Sequence, residues 1–390
     1  MNIIVVGALA TFLLTVLLVP TLRPLAVRIG LLDRPDGRRW HAKATPSVGG
    51  LAILLAAAPV CLFLLPVTRQ IEGLGLAAVV IVAAGVADDR FRIRWQYRLC
   101  AQVLAALVLI YVGGIRVENI GQVFGFQVSS LGVLSTPLTV LATVGIVNAV
   151  NMADGVDGLA GGISLVAIVM LTGAAVYAGN LQLANDLGLV VGALCGFLLF
   201  NVRTPWRPRA TVFLGNAGAE LLGLLIASAC FRLTQNAHHP VGAQLAPFLV
   251  APALIDCLTL MLRRIRSGVS PFVGDRNHLH HLLLDGGWSA TAIVGSLVAA
   301  TLLIGAGAAL ALKAHMPPEL FSLAFVAMWG AYFLATHRRE KSVAAFARIA
   351  HQARSILVAA PAQPPVRAPA PAFDVATRTR EDTPQMAVED

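Results

Sequence analysis

The chain has 390 residues, of which 57% are hydrophobic and only 13% are charged, and its formal net charge is +9. Soluble domains carry about 25% charged residues. A chain with so little charge cannot cover a water-facing surface, so a soluble globular protein is excluded and most of the chain must face lipid or other helices. In such a protein the excess of Lys and Arg reports membrane orientation, and we expect no nucleic-acid binding.

Apolar runs near the roughly 20 residues that a helix needs to cross a bilayer recur along the chain. They predict an all-α integral membrane protein with about eleven transmembrane helices within residues 1–336. Such boundaries are accurate to a few residues. In chain order, the predicted spans are residues 2–22, 47–66, 72–87, 97–113, 133–150, 159–178, 187–202, 217–235, 244–262, 289–312 and 318–336.

Three other segments have patterns of their own. Residues 114–132 alternate polar and apolar side chains between Gly residues, which predicts an extracytoplasmic β-hairpin, with an irregular loop as the alternative. Residues 337–358 form a basic amphipathic pattern, which predicts a helix suited to an anionic lipid surface. Residues 359–390 are rich in Pro and Ala at their start and mixed in charge at their end, which predicts a disordered tail.

The Lys and Arg residues predict the orientation of the spans. If the N-terminus is periplasmic, the cytoplasmic segments contain 25 of the 29 basic residues, and the other side keeps Arg69, Arg116, Arg232 and Lys313. Because cytoplasmic loops carry the excess of basic residues, we expect a periplasmic N-terminus and a cytoplasmic C-terminus. The cytoplasmic segments are then residues 23–46, 88–98, 203–216, 263–288 and 337–390.

Acidic residues gather on the same side, although they contribute little to topology. Of the fourteen acids up to residue 336, ten lie at the predicted cytoplasmic ends. Acids beside many arginines suit a magnesium-bound substrate that contains phosphates, whereas the alternative is ordinary solvation of loops by mixed charge. The ten residues are Asp33, Asp36, Asp88, Asp89, Asp154, Asp157, Glu220, Asp256, Asp275 and Asp285.

Two groups of oxygen-bearing side chains follow apolar spans. Asp88 and Asp89 are adjacent carboxylates near the bilayer, and a divalent cation or a cationic partner would relieve their repulsion. A solvated helix end would look the same. The segment NAVNMADGVDGLAGG (148–162) combines two Asn, two Asp and four Gly without any Lys or Arg. Its Gly residues allow close backbone approach to a phosphate, and its oxygens suit a hard metal.

A third group is basic and contains three histidines in four residues. The segment PFVGDRNHLHH (271–281) follows Arg263, Arg264 and Arg266. No Cys lies nearby and the arginines would oppose a dication, so donors to phosphate oxygens fit better than a transition-metal site. The segment RRWH (38–41), before Gly49 and Gly50, is another basic, Gly-rich entry into a span.

These motifs, spread in order over residues 33–287, resemble the bacterial polyprenyl-phosphate N-acetylhexosamine-1-phosphate transferases of glycosyltransferase family 4. The histidine motif is more similar to the branch that uses UDP-N-acetylglucosamine and undecaprenyl phosphate than to the branch that builds the peptidoglycan precursor. The sequences that carry the resemblance are DRPDGRRWH, PSVGG, DDRFRI, YRLCAQ, NAVNMADGVDGLAGG, VFLGNAG, RRIR and SPFVGDRNHLHH.

The resemblance implies an inner-membrane enzyme that works at the cytoplasmic face with Mg²⁺, or with Mn²⁺ in its place. An oxygen of undecaprenyl phosphate attacks the β-phosphate of a UDP-N-acetylhexosamine, UMP leaves, and a lipid-linked glycan such as O-antigen is started. The bilayer and a second copy in a homodimer are further implied partners. Asp88 or Asp89 would orient or deprotonate the lipid phosphate, and a covalent carboxylate intermediate is the alternative route.

The same resemblance implies the remaining roles. Asp154 joins Asp88 and Asp89 as a catalytic residue, and the implied metal ligands are Asn151, Asp154 and Asn216. The active-site loops would be residues 23–46, 88–98, 151–158, 203–216 and 263–288. The implied substrate-binding residues are Arg38, His41, Asn148, Asp157, Arg264, Asp275, Arg276, His278, His280 and His281.

One position departs from the family. Where the family usually has Gly-Asp-(Ala/Thr)-Gly-Ser, this chain has Gly215, Asn216, Ala217, Gly218 and Ala219. Asn keeps an oxygen but loses a charge. This predicts weaker metal binding, or compensation by Asp154, Asp88 or Glu220.

Three alternatives remain at this point. The first is a transporter or flippase, which would place ionisable groups near the bilayer midplane; here only Asp256 is predicted to lie deeper. The second is a non-catalytic binder of lipid or nucleotide sugar, an alternative suggested by the lost charge at Asn216. The third is an enzyme with another donor, such as UDP-N-acetylgalactosamine or UDP-MurNAc-pentapeptide.

Overall fold

Helices supply nearly all regular structure in the computed structural model, which describes residues 2–33, 44–235, 241–271 and 275–356. Without water in the bilayer core, a helix satisfies its backbone internally. Within the described residues the helices are α1 (Asn2–Ile29), α2 (Gly49–Leu64), α3 (Arg69–Phe91), α4 (Trp95–Tyr111), α5 (Ser135–Ala153), α6 (Leu159–Tyr177), α7 (Leu181–Asn201), α8 (Gly215–Thr234), α9 (Ala246–Leu249), α10 (Ala251–Arg266), α11 (Leu279–Asp285), α12 (Ala290–Lys313), α13 (Pro318–Ala335) and α14 (Arg339–Ile356).

Eight helices in the described part of the chain are long and apolar enough to cross a membrane, namely α1, α3, α5, α6, α7, α8, α12 and α13. A ninth crossing is available if α9 and α10 are one bent span. The two helices α2 and α4 are apolar but have only 16 and 17 residues. The predicted class, an all-α membrane protein, is confirmed, and the predicted spans correspond to the eight long helices, the bent pair and the two short helices.

The predicted span 244–262 is two helices, because the chain bends by 83° between α9 and α10. Pro252 lies in the first turn of α10. A proline lacks the backbone N–H that would continue the preceding helix. Val250, two residues before Pro252, lies outside helical geometry, with φ −127° and ψ 22°. Hydropathy alone does not register this break.

Several helices extend beyond their predicted apolar spans. Helix α3 continues to Phe91, so Asp88 and Asp89 lie in its last turns, and the predicted loop 88–98 shrinks to residues 92–94. Helix α8 begins at Gly215, so Asn216 lies in its first turn. Likewise, much of the predicted loop 263–288 is helical. Hydropathy marks the apolar part of a helix, whereas backbone hydrogen bonds continue into the polar residues at its ends.

Helix α8 is the centre of the bundle and packs against α2, α3, α5 and α6, whereas α12 and α13 are mostly exposed. Glycines permit the closest of these approaches. A β-carbon at Gly50 of α2 would collide with the backbone of Gly218, and one at Gly85 of α3 would collide with the backbone of Ala217. The start of α8 therefore lies directly against α2 and the end of α3.

Two small sheets complete the described structure. Strands β1 (Leu32–Asp33) and β2 (Thr45–Pro46) pair antiparallel on either side of residues 34–43. Strands β3 (Gly121–Val123) and β4 (Phe126–Val128) form an antiparallel hairpin inside the segment 114–132 that predicted one. Helix α14 occupies most of the predicted amphipathic segment 337–358. The predicted tail 359–390 lies outside the described residues.

Candidate functional site

The end of α3 meets the beginning of α8 through Asp89. Oδ1 of Asp89 accepts a hydrogen bond from the backbone amide of Asn216 at 3.0 Å, and Oδ2 accepts one from the amide of Ala217 at 3.4 Å. The first amides of a helix have no partner within it and carry partial positive charge. Asp89 therefore caps α8 from a different helix, and this contact places Asn216 beside the paired carboxylates.

The side chain of Asn216 bridges three of the predicted site residues. Its Nδ2 donates to Oδ2 of Asp88 and to Oδ1 of Asp89, both at 2.9 Å. Its Oδ1 accepts from Nδ2 of Asn151 at 3.0 Å. The structure thus brings Asp88, Asp89, Asn151 and Asn216 together from α3, α5 and α8, and these four residues are called the acidic group below. An uncharged amide therefore lies between the two carboxylates.

Arg98, in the first turns of α4, joins the same group and was not singled out from the sequence. Its Nη1 lies 3.3 Å from Oδ2 of Asp88, and its Nη2 donates to Oδ1 of Asn151 at 2.8 Å. The same Nη2 contacts Oε1 of Glu220 at 2.7 Å. Arg98 therefore neutralises two acids from different helices. The sequence signal for Arg98 is its place within YRLCAQ, the segment of α4 that carries the resemblance to the family.

Glu220 and Asn148 are buried residues that contact this group indirectly, through Arg98 and Gln102. Glu220 is completely buried, and its Oε1 also accepts from Nε2 of Gln102 at 3.1 Å. Gln102 in turn accepts at its Oε1 from Nδ2 of Asn148 at 2.7 Å. Glu220 therefore balances Arg98. Asn148, predicted to bind substrate, is buried and reaches the acidic group through Gln102.

The loop after α5 is held to the chain beyond α7. Oδ2 of Asp157 lies 2.8 Å from Nε of Arg203 and accepts from the backbone amide of Ala210 at 3.1 Å. The backbone amide of Gly158, at φ +86°, donates to Oδ1 of Asn201 at 2.8 Å. Asp154, the residue directly after α5, is exposed at the surface of this loop. Asp157 thus orients the loop, and Asp154 lies where a ligand can reach it.

The predicted histidine group lies against the same loop. His278 and His280 are buried, and their rings stack with centroids 5.6 Å apart and planes 10° apart. His281 lies next to His280, with centroids 4.3 Å apart. A β-carbon at Gly155 would collide with Nε2 of His280. Gly155 follows Asn151 by four residues, so the acidic group and the histidine group meet at the loop between α5 and α6.

His280 and His281 have lowered affinity for protons. Burial lowers the pKa of His280 to about 3, with further lowering by the neighbouring charges of His281 and His278. Burial, His278 and Arg276 lower the pKa of His281 to about 4. Both rings are therefore neutral near pH 7. A neutral imidazole can donate one hydrogen bond and accept another.

Arginines flank the histidine segment. Nε of Arg264 lies 3.0 Å from Oδ2 of Asp275. Burial raises the pKa of Asp275, but the hydrogen bonds from Arg264 and the Asn277 amide outweigh it, so that pKa lies below its ordinary value. Arg276, in contrast, is half-exposed, and its Nη2 lies 3.5 Å from Oδ1 of Asp285. Arg264 is thus committed to Asp275, whereas Arg276 is open to solvent.

Helix α14 holds this segment in place. Arg339 forms an ion pair with Asp285, and its Nη1 donates to the backbone carbonyl of Arg276 at 3.2 Å. Nε1 of Trp288 donates to the backbone carbonyl of Phe346 at 3.0 Å. The basic amphipathic helix predicted from the sequence is therefore packed on α11, beside the histidines.

The donor set bears on the kind of metal that could bind. Among the described residues, no group of three or more His, Cys, Asp or Glu side chains is arranged to hold a metal ion. The carboxylates of Asp88 and Asp89 nevertheless lie beside the side-chain amide of Asn216, which contacts that of Asn151, and carboxylate and amide oxygens are the ligands of hard cations. With Oδ1 of Asn216 turned towards the carboxylates, these side chains would suit Mg²⁺ or Mn²⁺. Arg38 and His41, also predicted for the site, lie outside the described residues.

Comparison with known proteins places these motifs in context. A family model described as glycosyl transferase family 4 matches residues 71–234, which include the acidic group and end before the histidines. Similar curated proteins are undecaprenyl-phosphate alpha-N-acetylglucosaminyl 1-phosphate transferases. That of Haemophilus influenzae is 36% identical over 280 residues, 71% of this chain and 78% of the relative. That of Escherichia coli K12 is 34% identical over 336 residues, which are 83% of this chain and 90% of the relative.

Proposed function

The chain belongs to glycosyl transferase family 4, and we propose that it transfers N-acetylglucosamine 1-phosphate from UDP-N-acetylglucosamine to undecaprenyl phosphate and releases UMP. The observation that carries the proposal is the meeting of the acidic group and the histidine group at the loop 154–158, at the polar ends of apolar helices. The names of the relatives supply the lipid acceptor and the transferred group.

The reaction exchanges one phosphoanhydride bond for another. An oxygen of the lipid phosphate attacks the sugar-bearing phosphorus, and the bond from that phosphorus to the UMP oxygen breaks. Both oxygens of Asp89 accept hydrogen bonds from backbone amides of α8, whereas Asp88 lies beside Arg98 and the side-chain amide of Asn216. We therefore assign Asp88 to the lipid phosphate, which it orients or deprotonates. Alignment and charge neutralisation supply most of the catalysis in such transfers.

A bound Mg²⁺, or Mn²⁺ in its place, would neutralise the diphosphate, and Asp88, Asp89, Asn151 and Asn216 would hold it. Asn216 can be a ligand only if its Oδ1 takes the place of Nδ2 beside the carboxylates. The exposed Asp154, three residues after Asn151 in the chain, adds a further carboxylate near these side chains. Arg98 keeps Asp88 and Asn151 oriented before substrate binds.

The histidine group then accounts for the phosphates of the donor. The neutral imidazoles of His280 and His281 and the half-exposed Arg276 supply hydrogen-bond donors beside the loop 154–158. Arg–phosphate contacts are charge-assisted and therefore strong. Asp157 fixes the loop that faces this part of the donor, through Arg203.

We also infer the finer topology. The proposal is eleven crossings, a periplasmic N-terminus, a cytoplasmic C-terminus and a site at the cytoplasmic face of the inner membrane. Its support is the placement of 25 of 29 basic residues on one side. Fusions of alkaline phosphatase and of a green fluorescent protein after residue 336 test it: only the fluorescent fusion should be active. An active phosphatase there contradicts the orientation.

Release of UMP tests the activity directly. Purified protein in detergent should release UMP from UDP-N-acetylglucosamine only when both undecaprenyl phosphate and Mg²⁺ are present, and Asp88→Asn should abolish it. UDP-N-acetylgalactosamine and UDP-MurNAc-pentapeptide belong in the same assay as competing donors. UDP-N-acetylglucosamine binding without turnover would favour the non-catalytic binder. Light scattering of the same sample measures whether it is the proposed homodimer.

A further inference from the structure

Asp256, on α10, is a buried acid that the proposed reaction does not yet use. Its Oδ2 lies 2.8 Å from Nδ1 of His278. Its Oδ1 accepts hydrogen bonds from the backbone amide of Leu279 at 3.0 Å and from the hydroxyl of Tyr332 at 2.5 Å. Ionisable residues within membrane segments are costly and commonly functional. Both oxygens of Asp256 are engaged, so the orientation of the carboxylate is fixed.

The consequence for His278 is a defined ring orientation. A carboxylate at Nδ1 makes that nitrogen the donor and leaves Nε2 for another partner. The stacked ring of His280 restricts rotation from the side. The Leu279 contact holds the same carboxylate to the first residue of α11. Asp256 thus fixes both the tautomer and the position of His278.

Helix α13 secures Asp256 from the lipid side. Only a small part of α13 is buried, yet it makes several polar contacts with α10, which are unusual on a helix that otherwise faces lipid. These contacts join Tyr332 to Asp256 at 2.5 Å, Trp329 to Thr259 at 3.0 Å, and Thr336 to Arg263 at 2.9 Å. The hydroxyl of Tyr332 is therefore presented to Asp256 by a helix that is itself fastened to α10.

We propose that Asp256 is a positioning residue that acts through His278. It holds the imidazole so that Nε2, the nitrogen it does not engage, contacts a phosphate oxygen of the nucleotide sugar. This inference rests on the proposed function, which supplies that phosphate. A carboxylate behind a metal-ligating histidine typically affects metal affinity or activity by about 10-fold to 100-fold, and we expect an effect of the same size where the histidine contacts a phosphate.

A double-mutant cycle tests whether Asp256 acts through His278. In the full chain, Asp256→Asn should lower kcat/KM for UMP release by about 10-fold to 100-fold. In the His278→Gln background the same change should cost less than about twofold, because the side chain through which it acts is already gone. An equal loss in both backgrounds, or unchanged kcat/KM in Asp256→Asn, would overturn the proposal.

A matched control separates positioning from general stability. Asp186 is also a largely covered acid, and its Oδ2 lies 2.7 Å from Nη2 of Arg232. Nε of Arg232 contacts Gln70 at the start of α3, the opposite end of that helix from Asp88. Asp186→Asn should lower the melting temperature and keep kcat/KM. If Asp186→Asn lowers kcat/KM as much as Asp256→Asn does, the effect is structural and the proposal is wrong.

A UDP-binding measurement tests the role of Asp256 without depending on turnover, and so separately from the proposed function. If the wild-type protein turns over none of the UDP-sugars, the proposed function is rejected, and calorimetric titration with UDP then decides the role of Asp256. Asp256→Asn and His278→Gln should each weaken UDP binding, and the double variant should be no weaker than His278→Gln. Additive losses in UDP affinity would overturn the inference.

Discussion

The carboxylate of Asp89 accepts hydrogen bonds from both the backbone amide and the side-chain amide of Asn216, at 3.0 and 2.9 Å. The backbone contact uses Asp89 to cap a helix, and the side-chain contact places an uncharged group between two acids. An Asn at this position therefore adds no third negative charge to the site, and its backbone amide still provides the cap. Its effect should appear first in metal binding.

We expect Asn216→Asp to raise the affinity for Mg²⁺ by about tenfold, because the charge of the ligand set tunes oxygen-ligand sites. Without metal, the third carboxylate would repel Asp88 and Asp89 and lower the melting temperature. Titration of melting temperature with Mg²⁺ measures both effects, since a ligand stabilises the folded state that binds it. Asn180→Asp, at the cap of α7, is the matched control. Identical titrations for both variants would remove Asn216 from the metal site.

Arg98→Ala should lower the free energy of unfolding by about 3–5 kcal/mol, because it leaves the completely buried Glu220 without its cation. Arg94→Ala removes the same charge from the exposed start of α4 and should have little effect. The double variant Arg98→Met with Glu220→Gln should recover part of the loss. Chemical unfolding in detergent measures all three, and no recovery would show that Arg98 stabilises the fold by another route.

Gly155→Ala should impair the meeting of the two groups, because its methyl group would collide with the ring of the buried His280. Such overpacking costs about 1–3 kcal/mol, and UMP release should fall with it. Adding His280→Ala should recover the melting temperature and leave UMP release impaired. Gly173→Ala, where no atom lies within 4 Å of the added carbon, is the control. Unchanged melting and turnover in Gly155→Ala would contradict the packing of His280 on this loop.

Acid should destabilise the protein through His280. Its pKa is lowered by burial from 6.5 to about 3 in the folded chain, so below pH 6.5 the unfolded state binds the extra proton. The stabilising effect is complete above pH 6.5 and is lost as the pH falls towards 3. Between pH 6.5 and 5 the loss is about 2 kcal/mol.

Melting temperatures of the wild-type protein and of His280→Gln between pH 7.5 and 5 check this expectation. The variant should lose less stability on acidification than the wild type. His351→Gln, an exposed histidine on α14, should behave as the wild type does. Parallel curves for all three proteins would mean that His280 is not buried as a neutral ring.

The sequence by itself determined the class of this protein and much of its chemistry. Low charge and recurring apolar runs require a helical membrane protein, because lipid leaves the backbone no other partner. The Asp88–Asp89 pair, the NAVNMADGVDG segment and the histidine motif identified residues that the structure brings to one region. These signals are local: each depends on residues within about twenty positions of one another.

Only the tertiary structure decided which side chains contact one another in the site. Arg98 and Glu220 are 122 residues apart, and Asp88 and Asn216 are 128 apart, so no local pattern pairs them. Hydropathy reports the environment of a side chain but does not identify the residue that it contacts. For this reason only the tertiary structure shows that Arg98 joins the site, that Asp89 caps a helix and that Asp256 lies behind His278. Asn216, noticed in the sequence as a lost charge, proved to be the residue whose amide bridges both carboxylates.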